Sequence, residues 1–146
     1  MTAVAGPDMG AAAVPVRPGD LIARREIVLT RADSVRYAGA SGDFNPIHWS
    51  EAAAEAAGLP GVIAHGMATM GRAAQVLVDW AGDPGAVLEF EVRFARPVPV
   101  PEVAGARLTV SGRVVAVKDG VATVDLDVTL DGAKVLGKAR ARVRVA

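Results

Sequence analysis

The sequence predicts an α+β domain in which a curved antiparallel sheet wraps one long helix. Three observations carry this. Between Gly66 and Ala81, apolar residues recur at three- and four-residue spacings, as on a helix packed into a sheet. From Val87 onward the chain alternates apolar and polar residues in strand-length runs. Asp119-Gly120 and Asp131-Gly132 separate such runs with two-residue hairpin signals, and no parallel βαβ rhythm occurs.

In order, residues 1–15 are mostly Ala, Gly and Pro and read as a flexible tail, leaving 16–146 as the domain. Val16 to Asp20 reads as a turn and Leu21 to Leu29 as the first strand. Thr30 with Asp33 forms a capping-box pattern opening a helix of about ten residues, with Val35 and Ala38 on its inner face and an end near Gly39 to Gly42. Ser50 caps a short helix over Glu51 to Ala57, which Gly58 and Pro60 terminate. In the long helix the inner stripe is expected to be Met67, Met70, Ala74, Leu77, Val78 and Ala81, with Arg72, Gln75 and Asp79 opposite. The stripe reads as core, with an acyl channel as the minor alternative. Val87 to Phe94 is a strand, Pro97 to Gly105 a connection, and Arg107–Lys118, Val121–Leu130 and Lys134–Val145 complete the sheet.

Register follows from the turns. Around Asp131-Gly132, Val128 should face Val135, Val124 face Ala139 and Asp125 face Lys138. Around Asp119-Gly120, Val117 should face Ala122 and Val115 face Val124. That register turns Arg113 inward, so a bulge is expected near Gly112. The row Lys138, Arg140, Arg142 and Arg144 reads as a solvated strand face, with a carrier-protein or phosphate contact as the lesser reading.

Composition bounds the function. Sixteen basic residues balance sixteen acidic ones, which removes the general electrostatic case for binding nucleic acid or a membrane surface. With no cysteine, disulfides, thiolate catalysis and Cys-ligated metals are excluded. The first residues lack a charged leader before an apolar run, and no run reaches the roughly 20 apolar residues of a membrane span. The expectation is a soluble cytoplasmic protein of one domain.

The chemistry concentrates in Tyr37 to His48, YAGASGDFNPIH, and in IAHGM at Ile63 to Met67. Pro46 has a fixed φ and biases Asn45 towards an extended backbone, so Gly42 to His48 is a shaped loop, not a continuous helix. Asp43, Asn45 and His48 on one loop are an acid, an amide and a base, the parts needed to move a proton and hold a water. Asp43 alone would read as a loop cap, and His65 alone as a structural or exposed histidine. The histidines lack HxH or HxxxH spacing, so neither metal nor cofactor is expected. Gly66 opens the long helix. Its N–H is one of the unpaired donors at the positive end of the helix dipole, suited to a carbonyl gaining negative charge, unless the glycine only relieves packing.

YAGASGDFNPIHWSEAAA resembles the signature of the (R)-specific enoyl-thioester hydratases and dehydratases, the MaoC-like group. Gly-Asp-x-Asn-Pro-Ile-His stands intact, Ala54 supplies the small residue that follows it, and IAHGM looks like that group's second block. The resemblance runs from Gly19 to Ala146 and is strongest to the B-type subunit of the actinobacterial (3R)-hydroxyacyl-carrier-protein dehydratases of type II fatty-acid elongation. It implies a hot-dog fold, working as a homodimer or as a heterodimer with another hot-dog subunit.

It further implies Asp43 and His48 as the catalytic dyad, Asn45 as a polar residue of the same loop, and Gly66 as the donor to the thioester carbonyl. The implied reaction is dehydration of a (3R)-hydroxyacyl thioester on acyl-carrier protein or CoA, or the reverse hydration. The alternatives are a homodimeric (R)-specific enoyl-CoA hydratase of degradation or polyester supply, a non-catalytic acyl-binding hot-dog subunit, and a thioesterase.

Overall fold

A computed structural model describes residues 15–145. Apart from Pro15, the expected tail lies outside them. Residues 17–20 form the expected turn, in which Asp20 N–H donates to Arg17 O and Asp20 Oδ2 accepts from Arg17 N–H. Strand β1 follows at Leu21–Leu29, then helices α1 (Arg31–Ser41), α2 (Glu51–Ala56) and α3 (Gly66–Ala81). Strands β2 (Val87–Phe94), β3 (Ala106–Lys118), β4 (Val121–Leu130) and β5 (Ala133–Arg144) complete the molecule. They form one five-stranded antiparallel sheet in the order β1-β3-β4-β5-β2.

The α1 capping box is complete. Thr30 Oγ1 accepts from Asp33 N–H, and Asp33 Oδ2 accepts from both Thr30 N–H and its hydroxyl at 2.8 Å. The backbone N–H of Thr30, and next its hydroxyl, hold the Asp33 carboxyl below the ordinary aspartate value of 3.8. Thr30→Ala is expected to cost about 1 kcal/mol at pH 7. With the folded-state pKa depressed, Asp33's contribution is full above the unfolded pKa and fades as pH falls through the folded value. Melts of wild type and variant should therefore draw closer below about pH 4.

On α1 the inner face carries Ser34 and Ala38; Val35, expected inside, is 66% exposed because it lies one position round the helix. Helix α3 has its predicted bounds but a rotated face. Thr69, Ala73, Val76 and Leu77 are buried, while Met67 is exposed and Met70 half-buried. Small residues at Ala73 and Val76 let the sheet come close, in one core with Val110, Val124, Val128, Ala141 and Val143.

Both hairpins turn as predicted, with positive φ at Asp119, Gly120, Asp131 and Gly132 as a type I′ turn requires. Their registers differ from expectation beyond the turn. Leu130 faces Ala133, but irregularities further along place Val128 opposite Leu136, Val124 opposite Ala141 and Asp125 opposite Arg140. Lys138, at φ 48°, lies in the shifted stretch. The slip from Ala139 to Ala141 is by two residues, so Val124 keeps its apolar partner and stays inside.

The bulge in β3 falls between Val114 and Ala116, not at Gly112. It puts Val114 against Val124, exposes Val115 and turns Arg113 outward beside Asp125. Gly112 serves close approach instead: a Cβ there would stand 2.6 Å from Ile22 Cγ1 and 2.8 Å from Leu126 Cδ2. The row on β5 is solvated as expected, with Arg140 bidentate to Asp125 and Arg142 bonded to Glu89.

Candidate active site

Gly42 ends α1 in the left-handed conformation, at φ 76°, and sends the chain into the loop that holds Asp43. Asp43 Oδ1 accepts from Asn45 N–H at 3.1 Å, and Asn45 Oδ1 accepts from Ile47 N–H at 3.2 Å. The second bond caps a short 3₁₀ turn, Pro46–His48, with Pro46 at its start. Asn45 is exposed, and its oxygen is spent on shaping the loop that delivers His48.

Behind the loop, α2 is fixed by Ser50 Oγ accepting from Ala53 N–H and by the complete burial of Ala54. Arg31 bonds both Val100 O and Glu51, whose other oxygen accepts from Val62 N–H. That bond from Arg31 comes first among the causes holding the Glu51 carboxyl below its usual range. Residues 62–64 lie beside 98–100 like a short strand pair, with Ala64 N–H on Val98 O and Val100 N–H on Val62 O. Ile63 is thereby placed to receive His48.

His48 is buried, and its Nδ1 lies 2.8 Å from Ile63 O. A carbonyl only accepts, so Nδ1 carries the hydrogen, and a neutral ring keeps its lone pair on Nε2. That nitrogen stands 3.8 Å from Asp43 Oδ2, too far for a direct hydrogen bond. The Asp43 side chain is half exposed, so the pair opens on solvent at the acid and is walled at the base.

His65, read from the sequence as structural or exposed, is brought into the same place. It is 2% exposed, with its ring stacked on that of His48 at 3.8 Å between centroids and Tyr37 leaning on it at 4.8 Å. Its Nε2 donates to the main-chain oxygen of Asp43 at 3.0 Å. One signal pointed here: histidine occupies the N-cap of α3, where it makes no side-chain cap.

Asp43, His48 and His65 offer ligand atoms within 4.8 Å of one another, closer than their sequence spacing suggests. Each histidine bonds a carbonyl through one ring nitrogen, which leaves Nε2 of His48 and Nδ1 of His65 as the second nitrogen of each ring.

Gly66 begins α3 immediately after His65, so its N–H lies in the turn that lacks intrahelical acceptors. It is exposed, and the Phe94 ring lies 3.1 Å from where a Cβ would stand. From Tyr37 and Met67 a groove of about 370 Å³ runs between α1 and α3, past Ala40, Ala68 and Gly71 to Asp33, Arg36 and Arg72. No helix among the described residues is long and apolar enough to cross a membrane.

Comparison with known proteins gives this arrangement a family. Over 77 residues the chain is 46% identical to 3-hydroxyacyl-thioester dehydratase X of Mycobacterium tuberculosis, covering 53% of this chain and 26% of that protein. It is 33% identical over 87 residues to the (R)-specific enoyl-CoA hydratase of Rhodospirillum rubrum, covering 59% and 60% of the two. The chain thus spans less than two thirds of either relative's length. A solved MaoC-like dehydratase superposes with a TM-score of 0.87 and 41% identity, over 90% of this chain and 41% of that one. The sheet and long helix are those of the hot-dog fold. The MaoC like domain matches residues 14–131, a span that holds the loop of Asp43 and His48, His65 and the start of α3. This chain belongs to the MaoC-like domain family.

Proposed function

We propose that the protein is a hydro-lyase that reversibly dehydrates (3R)-hydroxyacyl thioesters to trans-2-enoyl thioesters, with Asp43 and His48 as its acid–base pair. The observation that carries this is the His48–Asp43 geometry: a ring held by its Nδ1–H with Nε2 turned to the Asp43 carboxyl group, 3.8 Å away and not bonded to it directly. C2 and C3 of the substrate are adjacent, so two groups at this spacing serve both.

The pair carries one proton throughout. In dehydration, Nε2 of neutral His48 takes a C2 proton, the C3–O bond breaks, and Asp43 gives its proton to the departing hydroxyl, releasing water. In hydration the carboxylate of Asp43 takes a proton from water as its oxygen bonds C3, and His48 returns its proton to C2. Nδ1–H stays on Ile63 O in both directions. The thioester oxygen gains charge as C2 loses its proton, and Gly66 N–H at the positive end of α3 is the donor for it. The apolar groove past Tyr37 and Met67 accepts the acyl chain. Met67, expected in the core, lines this channel because the α3 face is rotated.

A second hot-dog subunit completes the assembly along β2. That strand is a sheet edge, it exposes Leu88 and Phe94, and the Phe94 ring fills the space where a Cβ on residue 66 would stand. The carrier is acyl-carrier protein or CoA, in fatty-acid elongation. The test is hydration of crotonyl-CoA by the purified chain, alone and mixed with candidate hot-dog subunits, then with longer acyl carriers. Activity only in a mixture identifies a heterodimeric dehydratase; full activity alone identifies the homodimeric enoyl-CoA hydratase. No turnover in any mixture would overturn the assignment.

A further inference from the structure

We infer that His65 is a positioning residue, which sets the separation of the acid and the base by holding one with its edge and the other with its face. The inference rests on the hydro-lyase reading for its kinetic consequence, but not for its geometry. Nε2–H of His65 donates to the main-chain oxygen of Asp43 at 3.0 Å, and so fixes the residue whose carboxylate reacts. The ring plane lies against His48 at 3.8 Å with a tilt of 22°. His48 is therefore fixed in two senses, by Ile63 O in its own plane and by His65 across its face.

His65 is itself firmly set. Its main-chain oxygen accepts from Thr69 N–H at 3.1 Å and from Thr69 Oγ1 at 3.3 Å, and Tyr37 packs on its ring. Its backbone leads directly into Gly66, so dyad and oxyanion donor share one rigid support, the first turn of α3. The rigidity matters because Asp43 lies on an exposed loop, where among the described residues its carboxylate accepts only from the nearby Asn45 N–H and its main-chain N–H donates to Ser41 Oγ. The bond to His65 is the long-range tie.

Chemistry separates this role from packing. Nδ1 of His65 is buried and has no hydrogen-bond partner among the described residues. A buried acceptor without a partner costs free energy that phenylalanine or leucine would avoid. Packing alone gives no reason to keep an imidazole here. The donor on Nε2 does, because phenylalanine has none. The two protonatable rings also divide their work. His48 turns a free nitrogen to Asp43, whereas His65 has committed its only N–H to a carbonyl and faces no carboxylate oxygen at hydrogen-bond distance. His65 acts through the pair and not on substrate.

Three variants test this. His65→Gln keeps an N–H near the Nε2 position and loses the ring; His65→Phe keeps the ring and loses the N–H; His65→Leu loses both. His65→Leu should lower kcat about 10²-fold with KM within about threefold, the scale of a misplacement near 1 Å. The other two should fall between it and wild type. A kcat for His65→Leu within about threefold of wild type, or a loss confined to KM, overturns the inference.

If His65→Leu does not fold, the remaining pair decides through the carbonyl ¹³C resonance of Asp43 in the folded protein. That resonance should move in His65→Phe and stay near its wild-type position in His65→Gln. An unmoved resonance in His65→Phe overturns the inference. The NMR readout needs no activity, so failure of the hydro-lyase reading and failure of the positioning role are separately visible.

Discussion

His48→Asn and Asp43→Asn each lower kcat for crotonyl-CoA hydration by about 10²-fold or more, with the fold retained, in whichever assembly is active. Each substitution is chosen to remove chemistry and keep contacts. An asparagine at position 48 can place its amide near the imidazole Nδ1–H and so keep the bond to Ile63 O, but it has no basic nitrogen towards Asp43. Asn at position 43 still presents an oxygen to Asn45 N–H, yet neither ionises nor carries the shared proton. If the two groups act as the proposed unit, the double variant should be little worse than the poorer single one. Circular dichroism melts check the fold, and initial rates check the chemistry. Turnover near wild type in both variants would sink the dyad.

Local features of the sequence were legible wherever one residue type decides a local geometry. Thr30 with Asp33, Ser50, Gly42 and the Asp-Gly pairs fixed helix starts, a helix end and both hairpins. The loop carrying Asp43 and His48 was legible for the same reason, since Pro46 and Asn45 fold a few residues on themselves. What could not be read was set at a distance. The β4–β5 register shifts through a stretch containing Lys138 at positive φ, where nothing in the residue type announces it. Glycine suggests a kink at Gly112, but the bulge in β3 lies at Val115. Gly112 makes room for Ile22 from the neighbouring strand.

On α3, apolar bulk is not what marks the buried face, which carries Thr69, Ala73, Val76 and Leu77. A sheet that closes on a helix selects small residues and a self-satisfied Thr69 there, and leaves Met67 outside. The place of His65 is not legible in the sequence because stacking on His48 is a tertiary contact between residues with no shared local pattern.

Gly66→Pro is expected to lower kcat about 10²- to 10³-fold while leaving α3 intact, the loss typical of one oxyanion donor. Proline is ordinarily ruinous in a helix, but at the first helical position its missing N–H breaks no helical bond. The residue before a proline must be extended, and His65 already has φ −60° and ψ 132°. The backbone thus accepts the substitution, and what disappears is the N–H proposed to meet the thioester oxygen. The added carbons crowd Phe94, whose ring lies 3.1 Å from the Cβ position, but that side chain is half exposed and free to move. Gly66→Ala controls for the crowding, since it adds the same Cβ and keeps the N–H. A large loss in proline and a small one in alanine assigns the donor. Equal losses would mean that Gly66 makes room for Phe94 and that the carbonyl is held elsewhere.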